Sequence, residues 1–319
     1  MRRYVIKRLA QAVGVLWAAY TVSFLVLDYL PGDPVTAMAS AGMDSGEVDP
    51  ARLAALRHEY GFDQPVLVQY ADYLGRAVHG DFGDAISTGR PVTSTLADAL
   101  PQTLQLTGAA LLLAVVLGGG LAVAATFTSR RWLRQFLLSL PPLGVSVPTF
   151  WVGLLLVDMF SFRLNWFPAF GNDGFRGLVL PALTLAVPTG ALVAQVLAKS
   201  LLTALDQAYV ETARAKGAGR WRVHLRHALR NASLPALTVV GLLVGQLVAG
   251  SVVVETVFSR DGLGRVTAAA VTTQDIPLVQ GVVVFGALIF VTTNLLVDLV
   301  YPLLDPRIVV ASDRRASFA

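Results

Sequence analysis

The sequence predicts an all-α polytopic membrane protein with six transmembrane helices and both termini on the cytoplasmic side. Three observations carry that expectation: a composition too apolar for water, charges that are missing in blocks, and basic residues gathered on alternate connecting segments. Of 319 residues, 55% are hydrophobic, 14% are charged and 28 are glycine. A soluble chain averages about 45–50% apolar residues and about 25% charged ones. With a mean hydropathy of +0.61, there is too little charge to cover a water-soluble body of this size. The absence of cysteine removes thiolate nucleophiles, disulfides and cysteine-held metal clusters.

The uncharged blocks are 9–27, 99–129, 135–157, 177–198, 231–254 and 276–297. A hydrocarbon core of about 30 Å needs about 20 helical residues at 1.5 Å each, and each block is mostly apolar. Barrel strands would alternate polar and apolar positions, which these blocks do not. The expected helices are therefore about 9–30, 104–128, 135–158, 177–199, 233–256 and 279–304, within one membrane domain covering 1–319. The first block follows Arg2, Arg3, Lys7 and Arg8. It exceeds the usual apolar core of a cleaved leader, and Asp28-Tyr29-Leu30-Pro31 is a poor cleavage site, so it reads as a retained anchor.

Lys and Arg set the orientation. The N-terminus, the 130–134 segment, the 199–230 segment and the C-terminal tail hold 17 of the 25 basic residues. Those segments are placed in the cytoplasm, leaving 31–103 as a long extracytoplasmic loop and 200–232 as a cytoplasmic one. The outer loop is acidic, net −6, from ten carboxylates against Arg52, Arg57, Arg76 and Arg90. It reads either as a docking surface for an extracytoplasmic protein, with Glu47, Asp49 and Glu59 as contacts, or as a cap with no partner.

Prolines and glycines punctuate the blocks. Pro141, Pro142 and Pro148 interrupt the third expected helix, and Pro181 and Pro188 the fourth. Gly118, Gly119 and Gly120 fall in the second, with Gly241, Gly245 and Gly250 in the fifth. Each proline removes a helical hydrogen bond that lipid cannot replace. Pro148, Pro181 and Pro188 are thus candidate kinks along a translocation path, against the alternative of close packing. Asp28, Asp158 and Glu255 flank their blocks and are expected to reach water at the interface. Asp298 alone reads as deep. A proton relay through Asp298 and Glu255 is the alternative to an interfacial or packing role.

The 200–232 loop holds the strongest local pattern. Ala208, Tyr209, Glu211, Thr212, Ala213, Arg214, Ala215 and Lys216 form a short helix, Gly217 and Gly219 a hinge, and Trp221 and Arg222 open a second helix. Ala208, Thr212, Ala213 and Ala215 are small enough to let a partner approach. Trp221, Leu225 and Leu229 form an apolar stripe beside basic Arg222, Arg226 and Arg230. Such an elbow can dock on protein or on the anionic inner leaflet.

This loop resembles the EAA motif of binding-protein-dependent ABC importer permeases through Glu211-Thr212-Ala213, Gly217 and Leu234-Pro235. Thr212 departs from the usual alanine in the manner of the dipeptide/oligopeptide branch. The likeness continues through Pro31-Gly32-Asp33-Pro34, Tyr60-Gly61-Phe62-Asp63, Gly80-Asp81-Phe82-Gly83, Arg90-Pro91-Val92 and Ser146-Val147-Pro148-Thr149-Phe150-Trp151. It includes Gly250 to Phe258, Gly262-Leu263-Gly264-Arg265, Asp275-Ile276-Pro277 and Asp298 to Ile308. Arg260-Asp261 stands where that branch has a Trp-Pro-like pair, which leaves the local geometry open. The long outer loop is similar to that of the B-type subunit.

The resemblance implies a type I (MetI-like) permease fold in a bacterial or archaeal plasma membrane and a non-catalytic subunit that imports di- or oligopeptides. It implies four partners or kinds of partner: a homologous C-type permease subunit, two ATPase subunits, an extracytoplasmic peptide-binding protein and membrane lipid. Ala208 to Arg222 would be the ATPase-coupling segment, with Glu211 capping or pairing and Gly217 making the turn. No Gly-x-x-x-x-Gly-Lys-Ser/Thr phosphate loop occurs, so the chain is expected to hold no cofactor, and ATP and Mg would be bound by the partners. Nickel-chelate, haem or glutathione-type import are family alternatives, and a proton-coupled carrier is a rival. An intramembrane serine protease fits less well, because His58, His79, His224 and His227 all read as loop residues. His224 and His227 read as a solvated helix face rather than a metal site.

Overall fold

The computed structural model describes residues 2–29, 50, 51, 54, 58 and 63–304. Glu47, Asp49, Glu59 and the strings at 31–34, 60–62 and 305–308 lie outside them, as do the side chains of Asp28 and Asp298. The described chain is almost wholly helical, with one isolated antiparallel bridge between Asp84 and Pro91. In order come α1 (Arg2–Tyr29), α2 (Val66–Val78), α3 (Val92–Phe127), α4 (Arg131–Ser146) and α5 (Thr149–Leu156). A π-helical turn, Val157–Arg163, continues α5. Next are α6 (Gly174–Leu205), α7 (Ala208–Ala215), a second π-helical turn (Arg222–Ala228), α8 (Leu229–Val257), α9 (Leu263–Thr272) and α10 (Ile276–Leu304).

Among the described residues, five stretches are long and apolar enough to cross a membrane: Arg8–Leu27, Val92–Phe127, Gly174–Leu205, Arg222–Val257 and Ile276–Thr293. The third expected span needs correction. Instead of one helix over 135–158 it is two helices bent by 104°, and it makes a sixth crossing only if the bent pair counts as one span. Pro148 causes the break: it sits at the bend as the residue before α5, with φ −59° and ψ 132°, and it cannot donate into a preceding turn. Pro141 and Pro142 lie inside α4 without ending it.

Two compact units make up the chain. The first comprises Met1–Thr103 and Asp261–Val291, the second Leu104–Arg260 and Thr292–Ala319. In the first, Ala85, Val92, Leu96 and Ala99 pack with Leu263, Ala270, Leu278, Val279 and Val282. Asp275 fixes the geometry there. Its carboxylate accepts from the Ser87 amide and hydroxyl (2.9 and 2.8 Å) and from the Leu278 amide (3.1 Å), capping α10 while holding the 85–88 turn. Tyr20 and Phe24 of α1 meet Tyr70 and Tyr73 of α2 edge-on or tilted, and the Thr21 and Tyr70 hydroxyls share a hydrogen bond of 2.7 Å.

In the second unit α6 is the central helix, and glycines let its neighbours approach. A Cβ on Gly118 of α3 would run into the carbonyl group of Gly190 on α6, only 2.9 Å from its carbon. Gly144 comes against Ala191, and Gly153 against Thr184 and Phe258, at 3.0–3.3 Å by the same measure. Close packing therefore accounts for Gly118, the reading that competed with a mobile kink. A Cβ on Gly120 would meet nothing within 4 Å.

Pro181 and Pro188 do not interrupt α6, contrary to the sequence expectation. Pro181 deprives the Gly177 carbonyl of its helical donor, and the guanidinium of Arg260 replaces it: Nη1 donates to Gly177 O at 3.0 Å and reaches Gly171 O at 3.4 Å. Arg260 is 2% exposed. The position that departs from the familiar Trp-Pro-like pair is therefore a buried latch on the start of α6. Glu255, expected at water, is wholly buried, and its carbonyl accepts from the Arg260 amide at 2.8 Å. Asp158 is exposed and pairs with Arg163 at 2.8 Å.

Candidate functional site

The coupling segment folds as a hairpin. Val210 and Ala213 of α7 and Val223 of the following π turn form its buried core, flanked by Leu205 and Ala218. Lys216 is the C-cap of α7, and Gly217 adopts φ +79°. The Ala218 amide donates to Ala213 O (3.0 Å) and the Gly217 amide to Arg214 O (2.9 Å). That pair of bonds is a Schellman closure, with the apolar Ala218–Ala213 contact that accompanies it. Gly217 is needed for its left-handed backbone. Gly219, the other expected hinge residue, has no such conformation.

The root of the hairpin is clamped to the end of α3. Arg220 donates to Ser129 Oγ at 2.6 Å and to the Phe127 carbonyl, one of the last and otherwise open carbonyls of α3. The same guanidinium lies 4.4 Å over the Phe127 ring. Trp221 packs against that ring with 4.6 Å between centroids, and His224 meets it edge-on at 5.5 Å. His224 is buried, and its Nε2 lies 3.0 Å from Thr126 Oγ1. The Thr126 hydroxyl proton goes to Ala122 O at 2.8 Å, so the imidazole Nε2–H is the donor in that pair.

Several sequence readings change here. Ala213 faces into the hairpin, not toward a partner; Ala208, Thr212 and Ala215 are the exposed small residues. Glu211 does not cap α7, since Gln207 holds the cap position. Its carboxylate is exposed in the first turn, where the helix dipole favours negative charge. Of the expected stripe, Trp221 and Leu225 are exposed and Leu229 is half-buried, while the inward residues are Val223, His224 and Ala228. The reason is the winding: residues 222–228 bond i to i+5, so an i, i+4, i+8 stripe no longer follows one face. His224 is consequently neither a loop residue nor part of a solvated face.

Tyr209, Arg214, Lys216 and Arg222 are exposed as well. Tyr209 borders an open groove of about 520 Å³ that Lys199, Gln207, Asn231 and Pro235 also line. The sequence reading missed the clamp residues Thr126, Phe127 and Ser129, and held Arg220 only as an unassigned member of the 208–222 segment. The only local signal was the polar interruption Thr126-Phe127-Thr128-Ser129 at the end of an apolar block, and nothing local announces partners more than 90 positions away. Among the described residues no cluster of three or more His, Asp or Glu side chains is arranged to hold a metal ion.

Comparison with known proteins places this geometry. Residues 109–310 match the binding-protein-dependent transport system inner membrane component, and residues 1–107 match the N-terminal membrane component of the same systems. A Brucella suis protein named "Putative peptide transport system permease protein" is 37% identical over 316 residues, 97% of this chain and 99% of its own length. The glutathione transport system permease GsiC of Salmonella typhimurium is 37% identical over 308 residues, with the same two coverages. Among solved structures, the MetNI methionine ABC transporter in an inward-facing conformation aligns with a TM-score of 0.58 at 16% identity, covering 66% of this chain and 96% of that one. An amino acid ABC transporter solved with histidines aligns at 0.50 and 19% identity, covering 67% and 94%. These likenesses give the fold, that of a type I ABC importer permease, and the family implies partners that hydrolyse ATP and bind substrate. With its apolar spans and full-length bacterial relatives, the chain is a multi-pass inner membrane protein that belongs to the binding-protein-dependent transport system inner membrane component family.

Proposed function

We propose that this chain is the B-type half of the pore of a peptide importer and takes up the force of ATP hydrolysis through residues 208–222. One observation carries the reading. The hairpin has its own small core, exposes Glu211, Thr212, Arg214 and Lys216, and is clamped at its root to α3. A partner that grips those exposed residues moves α3 with the hairpin, because the Arg220 clamp and the Thr126–His224 bond leave little slack. ATP-bound and nucleotide-free ATPases need only differ in affinity for this hairpin to shift the pore between inward- and outward-open states.

The partners in this scheme are a homologous C-type permease subunit, two ATPases that bind ATP and Mg, and an extracytoplasmic binding protein. Catalysis belongs to the ATPases, and the hairpin and both termini face the cytoplasm. The names of the relatives support a substrate with peptide bonds, and glutathione, named for one of them, is the second reading. Uptake of a labelled dipeptide competed by tetrapeptide but not by glutathione selects the first reading, and the reverse selects the second.

The hairpin is tested at its turn. Gly217→Val places a β-branched residue at φ +79°, a strain of about 1–3 kcal/mol. It is expected to abolish ATP-dependent uptake while the chain still accumulates in the membrane. Gly217→Asn, which tolerates the left-handed region, retains uptake. Normal uptake by the valine variant at normal expression rules out the lever.

A further inference from the structure

The first unit contains a cavity of about 310 Å³, the lower end of the range for small-molecule sites. Its walls come from α1, α2, the 81–84 turn and the start of α10. Two lining side chains are buried with polar atoms that find no hydrogen-bond partner among the described residues: the Tyr20 hydroxyl and Gln280 Nε2, on residues 3% and 5% exposed. A buried donor without an acceptor costs about 1–3 kcal/mol. Two such groups on one cavity wall are hard to account for as packing accidents.

The charges of the wall are unbalanced. Arg76 donates from Nε to Asp81 at 2.9 Å, and the Gly83 amide donates to the same carboxylate at 2.9 Å. The Arg76 hydrogen bond holds the Asp81 carboxyl below its ordinary value, so this pair is internally neutral. Asp72 and Asp84 also line the cavity, and neither carboxylate has an ion pair or side-chain hydrogen bond among the described residues. The cavity thus offers at its exposed rim the carboxylates of Asp84 and of Asp72, the latter within the field of Arg76 but not hydrogen-bonded to it, and a buried amide donor and a hydroxyl within.

We propose that this cavity binds a primary ammonium group carrying an oxygen acceptor a few bonds away, the chemistry shared by the amino terminus of a small peptide and the headgroup of phosphatidylethanolamine. The ammonium is held by Asp72 and Asp84, and the acceptor oxygen by Gln280 Nε2–H and the Tyr20 hydroxyl. The assignment rests on the groups of this unit and is independent of the coupling hairpin and of ATP-driven uptake.

The test uses the full chain, without partner subunits, in nanodiscs of phosphatidylcholine and phosphatidylglycerol, with radiolabelled L-alanyl-L-alanine as probe. Saturable binding is expected, weakened at least about tenfold by N-acetylation of the dipeptide, the equivalent of one lost charge-assisted hydrogen bond. Asp72→Asn and Asp84→Asn each weaken it several-fold. Tyr20→Phe and Gln280→Met also weaken it, yet leave thermal stability unchanged or raised, because neither removes an internal bond. Adding phosphatidylethanolamine distinguishes the sources: competition assigns the site to the lipid headgroup, and unchanged dipeptide binding assigns it to a soluble amine. Equal binding of the acetylated dipeptide, full affinity in Asp84→Asn, or no saturable binding of dipeptide or phosphatidylethanolamine overturns the proposal. None of those failures bears on uptake, which Gly217→Val tests separately.

Discussion

Gly118→Leu is expected to prevent α3 and α6 from closing on each other. A Cβ at this position would overlap the Gly190 carbonyl oxygen and stand 2.9 Å from its carbon and 3.0 Å from the Gly190 Cα. All three obstacles are backbone, so no rotamer change relieves them and the helices must separate. Overpacking that side chains can absorb costs about 1–3 kcal/mol, and this clash should exceed that range. Separation at Gly118 also disturbs its neighbours: Gly190 lies against Ala114 of α3, and Gly144 against Ala191, one residue along α6. The measurement is the thermal unfolding of the chain in detergent, with Gly120→Leu as control. Gly120 is two residues away and exposed, and a Cβ there would meet nothing within 4 Å, so that variant is expected to behave as wild type. Equal stability of the two variants would remove the close crossing as a determinant of the fold.

Arg260→Met is the second large effect. Methionine keeps much of the stem and its packing but removes the donors that satisfy Gly177 O and reach Gly171 O. The Gly177 carbonyl cannot regain a helical bond, because the residue four positions on is Pro181. Leaving it buried and unsatisfied costs about 1–3 kcal/mol. The expected results are a lower unfolding temperature and new protease cleavage between Leu164 and Asp173, the segment the latch holds down. Arg260→Lys, which keeps the charge but not the planar fork, should fall between the two. Wild-type protease resistance in Arg260→Met would show that the latch does not secure that segment.

Both effects depend on pairings that no local pattern announces. The glycines at 118 and 190 are ordinary helix residues until they face each other. Arg260 follows an apolar span, where snorkelling to the interface would be its usual fate. Its burial follows from a proline 79 positions earlier that leaves a carbonyl without a donor. The same holds for the hairpin. Glu211, Gly217 and the small residues around them are legible because a turn needs a left-handed glycine wherever it occurs. The inward direction of Ala213 was not, because it depends on Val223 folding back onto it, and the faces of Leu225 and Leu229 were not, because an i to i+5 turn at 222–228 rotates the register that an ideal helix would have.

What the sequence determined by itself is the membrane class, the number and placement of the apolar segments, the turn at Gly217 and the likeness to importer permeases. These follow from terms that act residue by residue: transfer of side chains into lipid, the backbone freedom of glycine and the missing donor of proline. Only the tertiary structure decided that the third segment bends by 104° at Pro148 while Pro181 and Pro188 leave α6 unbroken. It alone buried Arg260, Glu255 and His224 and left Tyr20 and Gln280 with polar atoms aimed at one cavity. A proline breaks a helix only where no other group replaces the hydrogen bond it removes, and the replacement comes from parts of the chain that are remote in sequence and close in space.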